Sequence, residues 1–466
     1  MNFFKLRVFT LCLSFSVLFC GVGQAFLRVG TAKDIITPPS LDNKPVGVFG
    51  ERMVEVAKDL YARVLVLDDG NSKLVIVTYD LNCLDVATPI LRSRLKHELG
   101  ISHEYFIPLA THNHCAPIQI VPENFEYGRW LANKIFDLVK RALENLTGPV
   151  HLEFGNGYVY HLLSVGNAPV DYEVQVLKVV DSAGKVYAIL FNHPTHPLQL
   201  AGKDNVIHPG HPGYAMDFVE KAFDGCIAMY ADACGGNQFT KSFMHADEAV
   251  VIKYAEELSR EVIRVANEKK TPIEGKISSS FKVVSLSLAK PMPREQAEKL
   301  ALFHPMDIGF VPYPDHRRSS NWIRSLLKHY REGIPFPNKS SDKICTDDGF
   351  LIEENPDGRE YPCRYEESIV AKIGNFILVA LQGEVCAPIG MRIKDAFRYN
   401  YPIMVFGYMG EHNLYIPTRE IVRLGLYQAK VIQEQYASPV GWAPTVEDEM
   451  VSAVREQISE IIRVSE

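Results

Sequence analysis

Apolar and polar positions alternate or run together along the chain in lengths that predict interleaved strands and helices. "ARVLVLDDGNSKLVIVTYD" is apolar on both sides of an Asp-Asp-Gly-Asn turn and predicts a β-hairpin over 62–80, with Asp80 ending its second strand. "PILRSRLKHEL" then shows helical spacing and precedes the strand "YFIPLA", which delivers His112 to its C-terminal end. An amphipathic helix follows over 127–146. A second hairpin, "VQVLKVVDSAGKVYAILFN", turns at Ser-Ala-Gly and runs into "HPTHPLQL". Next come a helix from near Gly213, the short strand "CIAMYA", the loop "DACGGNQ" and the helix "ADEAVVIKYAEELSREVIRVANEKK". Over 276–364 the pattern breaks into shorter elements and Pro-rich loops without a firm boundary. "ESIVAKIGNFILVALQGEV" is a third strand pair, ending at Glu384, and "YPIMVFGYMGEHNLYIPT" carries another strand into a loop. There is no internal repeat and no low-complexity linker. Strands alternating with helices predict an α/β fold, a mixed β-sheet core flanked by helices.

A chain of 466 residues can bury a large core, and 47% hydrophobic with 23% charged residues is a globular composition. A net charge of −7 without a basic block argues against a nucleic-acid partner. The N-terminus differs from the rest. Lys5 and Arg7 precede "VFTLCLSFSVLFCGV", and "GQA" closes the run, which predicts a signal peptide over 1–25 cleaved after Ala25. No segment is apolar for long enough to span a bilayer, so the expectation is a secreted or periplasmic protein without a transmembrane segment. The basic stretch "HRRSSNWIRSLLKHYR" reads as a solvated helix face, with peripheral contact to a membrane as the alternative. Of nine cysteines, the leader takes Cys12 and Cys20 and leaves seven. Cys345 and Cys363 bracket a polar loop and are the pair to join, a cross-link contributing roughly 3 kcal/mol. The others lie in or beside apolar segments, and no C-x-x-C pair suggests a structural zinc.

Histidine clusters are the candidate chemistry. "IPLATHNHCAPI" sets His112 and His114 one residue apart beyond a strand, and residues two apart in an extended segment face the same side. "NHPTHP" offers His193 and His196, and "HPGHP" offers His208 and His211, each stiffened by prolines. His112, His196, Glu384 and Tyr415 all fall just past predicted strands, where α/β proteins gather functional side chains. A nitrogen and oxygen set of this kind suits zinc with a position left for water. The competing reading is a set of turn and capping histidines, and the residues alone leave both open.

The sequence resembles the catalytic domain of the neutral ceramidase family, zinc-dependent amidases that cleave the N-acyl bond of ceramide. The similarity runs from "VGTAKDIITPP" to "YIPTREIVRLGLY". "LYARVLVLDDG" and "VTYDLNCL" match the family's opening strands, and "THNHCAP" its Thr-His-Thr-His-Ser-Gly-Pro segment. "THPLQL" matches the second histidine loop and "PGYAMDFVEKAF" the helix after it. "IGNFILVALQGE" corresponds to the strand ending in the metal-binding glutamate, and "YIPT" to the segment supplying a tyrosine ligand. The resemblance implies that His112, His196, Glu384 and Tyr415 hold Zn2+. It also implies that His114 hydrogen-bonds the substrate carbonyl or the reacting water, and that Tyr427 contacts a small-molecule or lipid N-acyl substrate.

The chain departs from that pattern at the reaction centre. Where the family has Gly-Asp-Val-Ser-Pro-Asn, this chain has "ACGGNQF", with Gly236 at the aspartate and Gln238 at the serine. "LSVGNAPVDYEV" lacks the arginine that would neutralise an oxyanion, and His211 replaces an aspartate. Cys234 either substitutes as a nucleophile or packs beneath the loop. The expectation is therefore a zinc-activated water, with the Gln238 amide donating to the oxyanion. The alternatives are a catalytically silent metal- or ligand-binding relative and a metal-dependent esterase. The hydrolase domain is expected over 26–466, without the C-terminal immunoglobulin-like domain of the full-length enzymes.

Overall fold

The computed structural model describes residues 26–242, 244–302, 321–336, 362–411 and 414–465. The leader over 1–25, Cys345 and the start of the basic stretch lie outside them, so the expected leader and the Cys345–Cys363 link fall outside the described structure.

Two mixed sheets face each other inside layers of helix. The larger has eight strands, in the order Ile227–Asp232, Val186–His193, Glu173–Asp181, Thr147–Tyr158, Leu27–Ile35, Tyr61–Asp68, Lys73–Tyr79 and Phe106–Ala110. The smaller has four, in the order Ile277–Ser287, Cys363–Ile373, Phe376–Leu381 and Ile403–Phe406. Their inner faces interdigitate: Leu65, Leu67, Ile76 and Leu109 from one pack with Ile369, Phe376, Leu378 and Phe406 from the other. Both strands of the first hairpin are buried on each face, as their unbroken apolar runs require. Its turn closes on acceptors, with Asp68 taking the Gly70 N–H at 2.6 Å and Asp69 those of Asn71 and Ser72 at 2.8 and 2.7 Å.

Helices cover the outer faces. Ala87–Leu99 and Phe125–Glu144 lie over one part of the large sheet, and Gly210–Ala222 and Glu248–Asn267 over another. Ala387–Phe397 and Val446–Ser465 cover the small sheet. Ala87–Leu99 stops where Gly100 turns left-handed at φ 68° and donates back to Leu95 and Lys96.

Both predicted hairpins form, as antiparallel pairs. The helix expected from near Gly213 begins at Gly210. Two long strands went unassigned in the sequence: Thr147–Tyr158, polar and glycine-rich, and the serine-rich Ile277–Ser287 in the stretch without a firm boundary. Among the described residues no helix is long and apolar enough to cross a membrane.

Three parallel pairs set up the site: Lys73–Tyr79 with Phe106–Ala110, Val186–His193 with Ile227–Asp232, and Phe376–Leu381 with Ile403–Phe406. Their C-terminal ends are stitched by the segment 407–410. Gly407 donates to Asp232 O at 3.3 Å, Tyr408 to Gly383 O at 3.0 Å and Gly410 to Pro108 O at 3.0 Å. Loops leaving both sheets are thereby brought to one place.

Candidate metal centre

His112 follows the strand Phe106–Ala110 by two residues and takes a left-handed φ of 56°. For a residue with a Cβ this costs energy and persists only where neighbours impose it. They do: Thr111 and Asn113 donate to Tyr79 O and Leu81 O at 3.0 and 3.1 Å, and the Asn113 side chain donates to Asp80 O and His208 O. The result brings the Nε2 atoms of His112 and His114 to 3.1 Å. Asn82, unsuspected in the sequence, sits behind them with its Nδ2 3.2 Å from His112 Nδ1 and 3.5 Å from His114 Nε2.

His196 leaves the strand Val186–His193. Its backbone N–H donates to Gln238 O at 3.1 Å, and its Nδ1 lies 3.0 Å from Gly235 O and 3.2 Å from Gln238 O. Two carbonyl acceptors fix the proton on Nδ1, so Nε2 presents its lone pair to the site. Glu384 and Tyr415 are direct partners in a two-residue parallel ladder, Glu384–Val385 with Tyr415–Ile416. The four strand-end residues do converge. Glu384 Oε2 lies 2.8 Å from His196 Nε2 and 3.2 Å from His112 Nε2, and Tyr415 Oη lies 3.2 Å from His196 Nε2. All are buried.

These donors fit a divalent ion. Metal–ligand bonds of about 2.0–2.1 Å set tetrahedral ligands about 3.3 Å apart, close to the spacing observed. A lone pair on His196 facing a buried carboxylate also calls for positive charge between them. Burial pushes the Glu384 carboxyl up, but protonated His112 and His196 imidazoles, carrying the positive charge that a cation would otherwise supply, outweigh it and hold the group well below the usual carboxylate range. Burial, then the Glu384 charge, pushes the Tyr415 phenol well above its ordinary value. His114 belongs to the same cluster: the ligand atoms of His112, His114 and His196 lie within 4.8 Å of one another, so His114 is an alternative third nitrogen beside the Glu384 carboxylate.

A cavity of about 220 Å³ opens beside the donors. His114, His196, Tyr415, Tyr427, Gln238 and Gln428 supply its polar lining, and Phe49, Val165, Leu198, Phe239 and Met244 its apolar lining. Phe49 stacks on His114 with ring centroids 5.5 Å apart, and Tyr427 meets Tyr415 edge-on at 5.7 Å.

Gln238 lines this cavity, but its amide is engaged elsewhere. Nε2 donates to Pro194 O at 2.7 Å and Asp171 O at 3.0 Å, and Oε1 accepts the Asp171 N–H at 2.6 Å. Both amide hydrogens are directed at the backbone, which bears against an oxyanion donor and makes the side chain a clamp on the His196 loop. Gly236 permits that loop to pass, since a Cβ there would come within 2.2 Å of Glu384 O. Cys234 is buried, and burial pushes its thiol up, the environment of a packed rather than a nucleophilic cysteine. His193, His208 and His211 stay outside the donor set: they bond Tyr254 Oη, the Gly210 N–H and Gln199 Oε1.

No family model and no curated protein matches the chain. Solved structures do. A ceramidase complexed with C2 is similar with a TM-score of 0.66 at 18% identity, over 93% of this chain and 76% of the other. The neutral ceramidase from Pseudomonas aeruginosa is similar with a TM-score of 0.64 at 18% identity, over 93% and 75%. Paired mixed sheets, flanking helices and near-complete coverage together establish a neutral-ceramidase-like α/β fold for this chain.

Proposed function

We propose that the protein is a zinc-dependent hydrolase that cleaves an N-acyl amide bond, ceramidase-like in architecture and acting on a lipid or small neutral substrate. The observation that carries this reading is the meeting of His112, His196, Glu384 and Tyr415 within 2.8–3.2 Å contacts, with His196 and Tyr415 also lining the adjoining cavity. Zinc held there would polarise the amide carbonyl and acidify a water. The chain's own groups do the rest. Gly235 O and Gln238 O keep the His196 lone pair on the donor side. His114, between the donor set and the cavity, carries a proton from the attacking water to the departing nitrogen as the C–O bond forms and the C–N bond breaks. Tyr427, in the cavity lining beside Tyr415, orients the substrate. Gln238 is reassigned from oxyanion donor to positioning residue. The apolar run over 1–25 supports export of the mature protein.

The decisive experiment measures metal content and hydrolysis of a short-chain fluorescent ceramide, with and without chelator, for the parent and for His196→Ala and Glu384→Ala. Stoichiometric zinc and chelator-sensitive turnover, both lost in the variants, are expected. Turnover indifferent to chelator and to both substitutions would overturn the proposal. A second reading, a silent relative that keeps the metal, is favoured by the fully engaged Gln238 amide in the serine position; bound metal without turnover on amide and ester panels would establish it.

A further inference from the structure

Two cavities of about 480 and 310 Å³ lie along the helix Glu248–Asn267, outside the candidate metal centre. His161 and Glu257 line both, so the two adjoin as parts of one trough. The helix lends it Lys253, Glu257, Arg260, Glu261 and Arg264, which recur at the spacing of a single helix face. From Lys253 to Arg264 that face runs about 16 Å. Its acids are engaged locally: Glu257 pairs with His161, and Glu261 pairs with Arg264 at 2.8 Å and accepts the Tyr158 N–H at 2.9 Å. Among the described residues, no hydrogen bond or ion pair holds the side chains of Lys241, Lys253 or Arg260. Exposed tyrosines stand at one end. Tyr158 and Tyr160 are 51% and 65% exposed, with ring centroids 6.3 Å apart and planes 14° from parallel. Toward the other end Gln199 is 2% exposed, and its Nε2 has no hydrogen-bond partner among the described residues.

We infer that this trough binds an acidic oligosaccharide, with sugar rings seated on Tyr158 and Tyr160 and carboxylates paired with Lys241, Lys253 and Arg260. A sugar ring presents a face of C–H groups edged by hydroxyls. An exposed tyrosine offers the matching surface, a flat apolar ring with a polar tip. Lys253 and Arg260 lie seven residues apart on the helix, about 10 Å along its axis, which suits charges repeated along an oligomer. Arg260 can take a carboxylate through two N–H donors, and the Gln199 amide adds a neutral donor for a hydroxyl. The acids in the same lining and the net charge of −7 disfavour a nucleic acid, which carries a phosphate at every unit. The strand Gln238–Thr240 divides the trough from the candidate centre: Gln238 and Phe239 line the cavity beside the donors, and Thr240 lines this one. The inference therefore stands independently of the hydrolase reading.

Calorimetric titration of the protein tests this with three probes. They are tetragalacturonate, its fully methyl-esterified form, which keeps the rings without the charges, and tetraglutamate, which keeps the charges without the rings. The acidic sugar is expected to bind about tenfold more tightly than either comparison compound, and more weakly as salt rises. Tyr160→Ser, and separately the pair Lys253→Gln with Arg260→Gln, should each weaken its binding about tenfold, with circular dichroism and metal content unchanged. No binding of tetragalacturonate by the parent, equally tight binding of either comparison compound, or affinity that survives both sets of substitutions, overturns the inference.

Discussion

Tyr408 stacks on His112 with ring centroids 4.1 Å apart and planes inclined by 34°, and both residues adopt left-handed backbone, at φ 55° and 56°. The two come from different sheets, and Ala110 N donates to Tyr408 O at 3.2 Å. The contact therefore ties the strained turn that aims His112 to the segment that also binds Gly383, next to Glu384. Packing groups behind a ligand hold its ring orientation, and losing one typically lowers metal affinity about 10–100-fold.

The Tyr408 hydroxyl has no hydrogen-bond partner among the described residues, so the ring rather than the oxygen carries this role. Tyr408→Phe should bind zinc as the parent does. Tyr408→Ala should lose affinity within that 10–100-fold range, measured by competition with a chromophoric chelator. Equal affinities for parent and Ala variant would show that the stack does not orient His112.

Metal should also stabilise the fold, because the donors meet only in the native state. Ligand at about 100 times its dissociation constant adds about 2.7 kcal/mol. Chelation should lower the melting temperature of the parent, and Glu384→Gln should remove most of that response while retaining a fold by circular dichroism. A melting temperature unaffected by chelator in protein shown to contain metal would contradict a site assembled by folding.

The strands before His112, His196 and Glu384 were readable in the sequence from their apolar runs, whereas the choice of His112, His196, Glu384 and Tyr415 as candidate donors came from the family resemblance, because the residues alone left turn and capping histidines equally open. The hairpins were readable because their turns carry Asp, Gly and Asn. Thr147–Tyr158 shows only a short alternation, Val150, Leu152 and Phe154, set between Gly148-Pro149 and the glycines at 155 and 157, while its neighbours in the sheet supply the pairing over the rest. The roles of Gln238 and Asn82 were hidden for a different reason. Gln238 bonds residues 67 and 44 positions away, and Asn82 meets histidines 30 and 32 positions on, so their partners are set by tertiary structure alone. The two-residue ladder joining Glu384 to Tyr415 is too short to leave a periodic signal.

Gln238 gives a direct contrast between two roles. An oxyanion donor contributes about 10²–10³ to kcat, so its loss should appear in turnover at saturating metal. A clamp acts through the loop: Gln238→Ala leaves Pro194 O and the Asp171 N–H and C=O without their partners, each buried group costing about 1–3 kcal/mol. The expected outcome is a lower melting temperature and weaker zinc affinity, with kcat recovered within about threefold when zinc is saturating. Parent-like stability and metal affinity combined with a 10²-fold loss of kcat would restore the donor role.

Acid should weaken the fold through His193. Burial holds its imidazole down to about 4 from 6.5, although Asp171 pulls the other way, and Tyr254 Oη lies 2.6 Å from its Nδ1. In the unfolded chain the ring takes a proton as pH falls through about 6.5, whereas in the folded protein it stays neutral until about 4. Unfolding therefore binds a proton within that window. The contribution is complete above pH 6.5, declines by about 1.4 kcal/mol per pH unit below it, and levels off near pH 4 after a loss of about 3 kcal/mol. His193→Gln keeps a neutral polar group and lacks the titration. Urea denaturation at pH 7 and pH 4.5 should show the stability advantage of the parent over His193→Gln shrinking by more than 2 kcal/mol, the order of the linkage term over that window. An advantage that stays constant between the two pH values would mean that the folded and unfolded rings titrate alike, and that His193 is accessible to protons in the native protein.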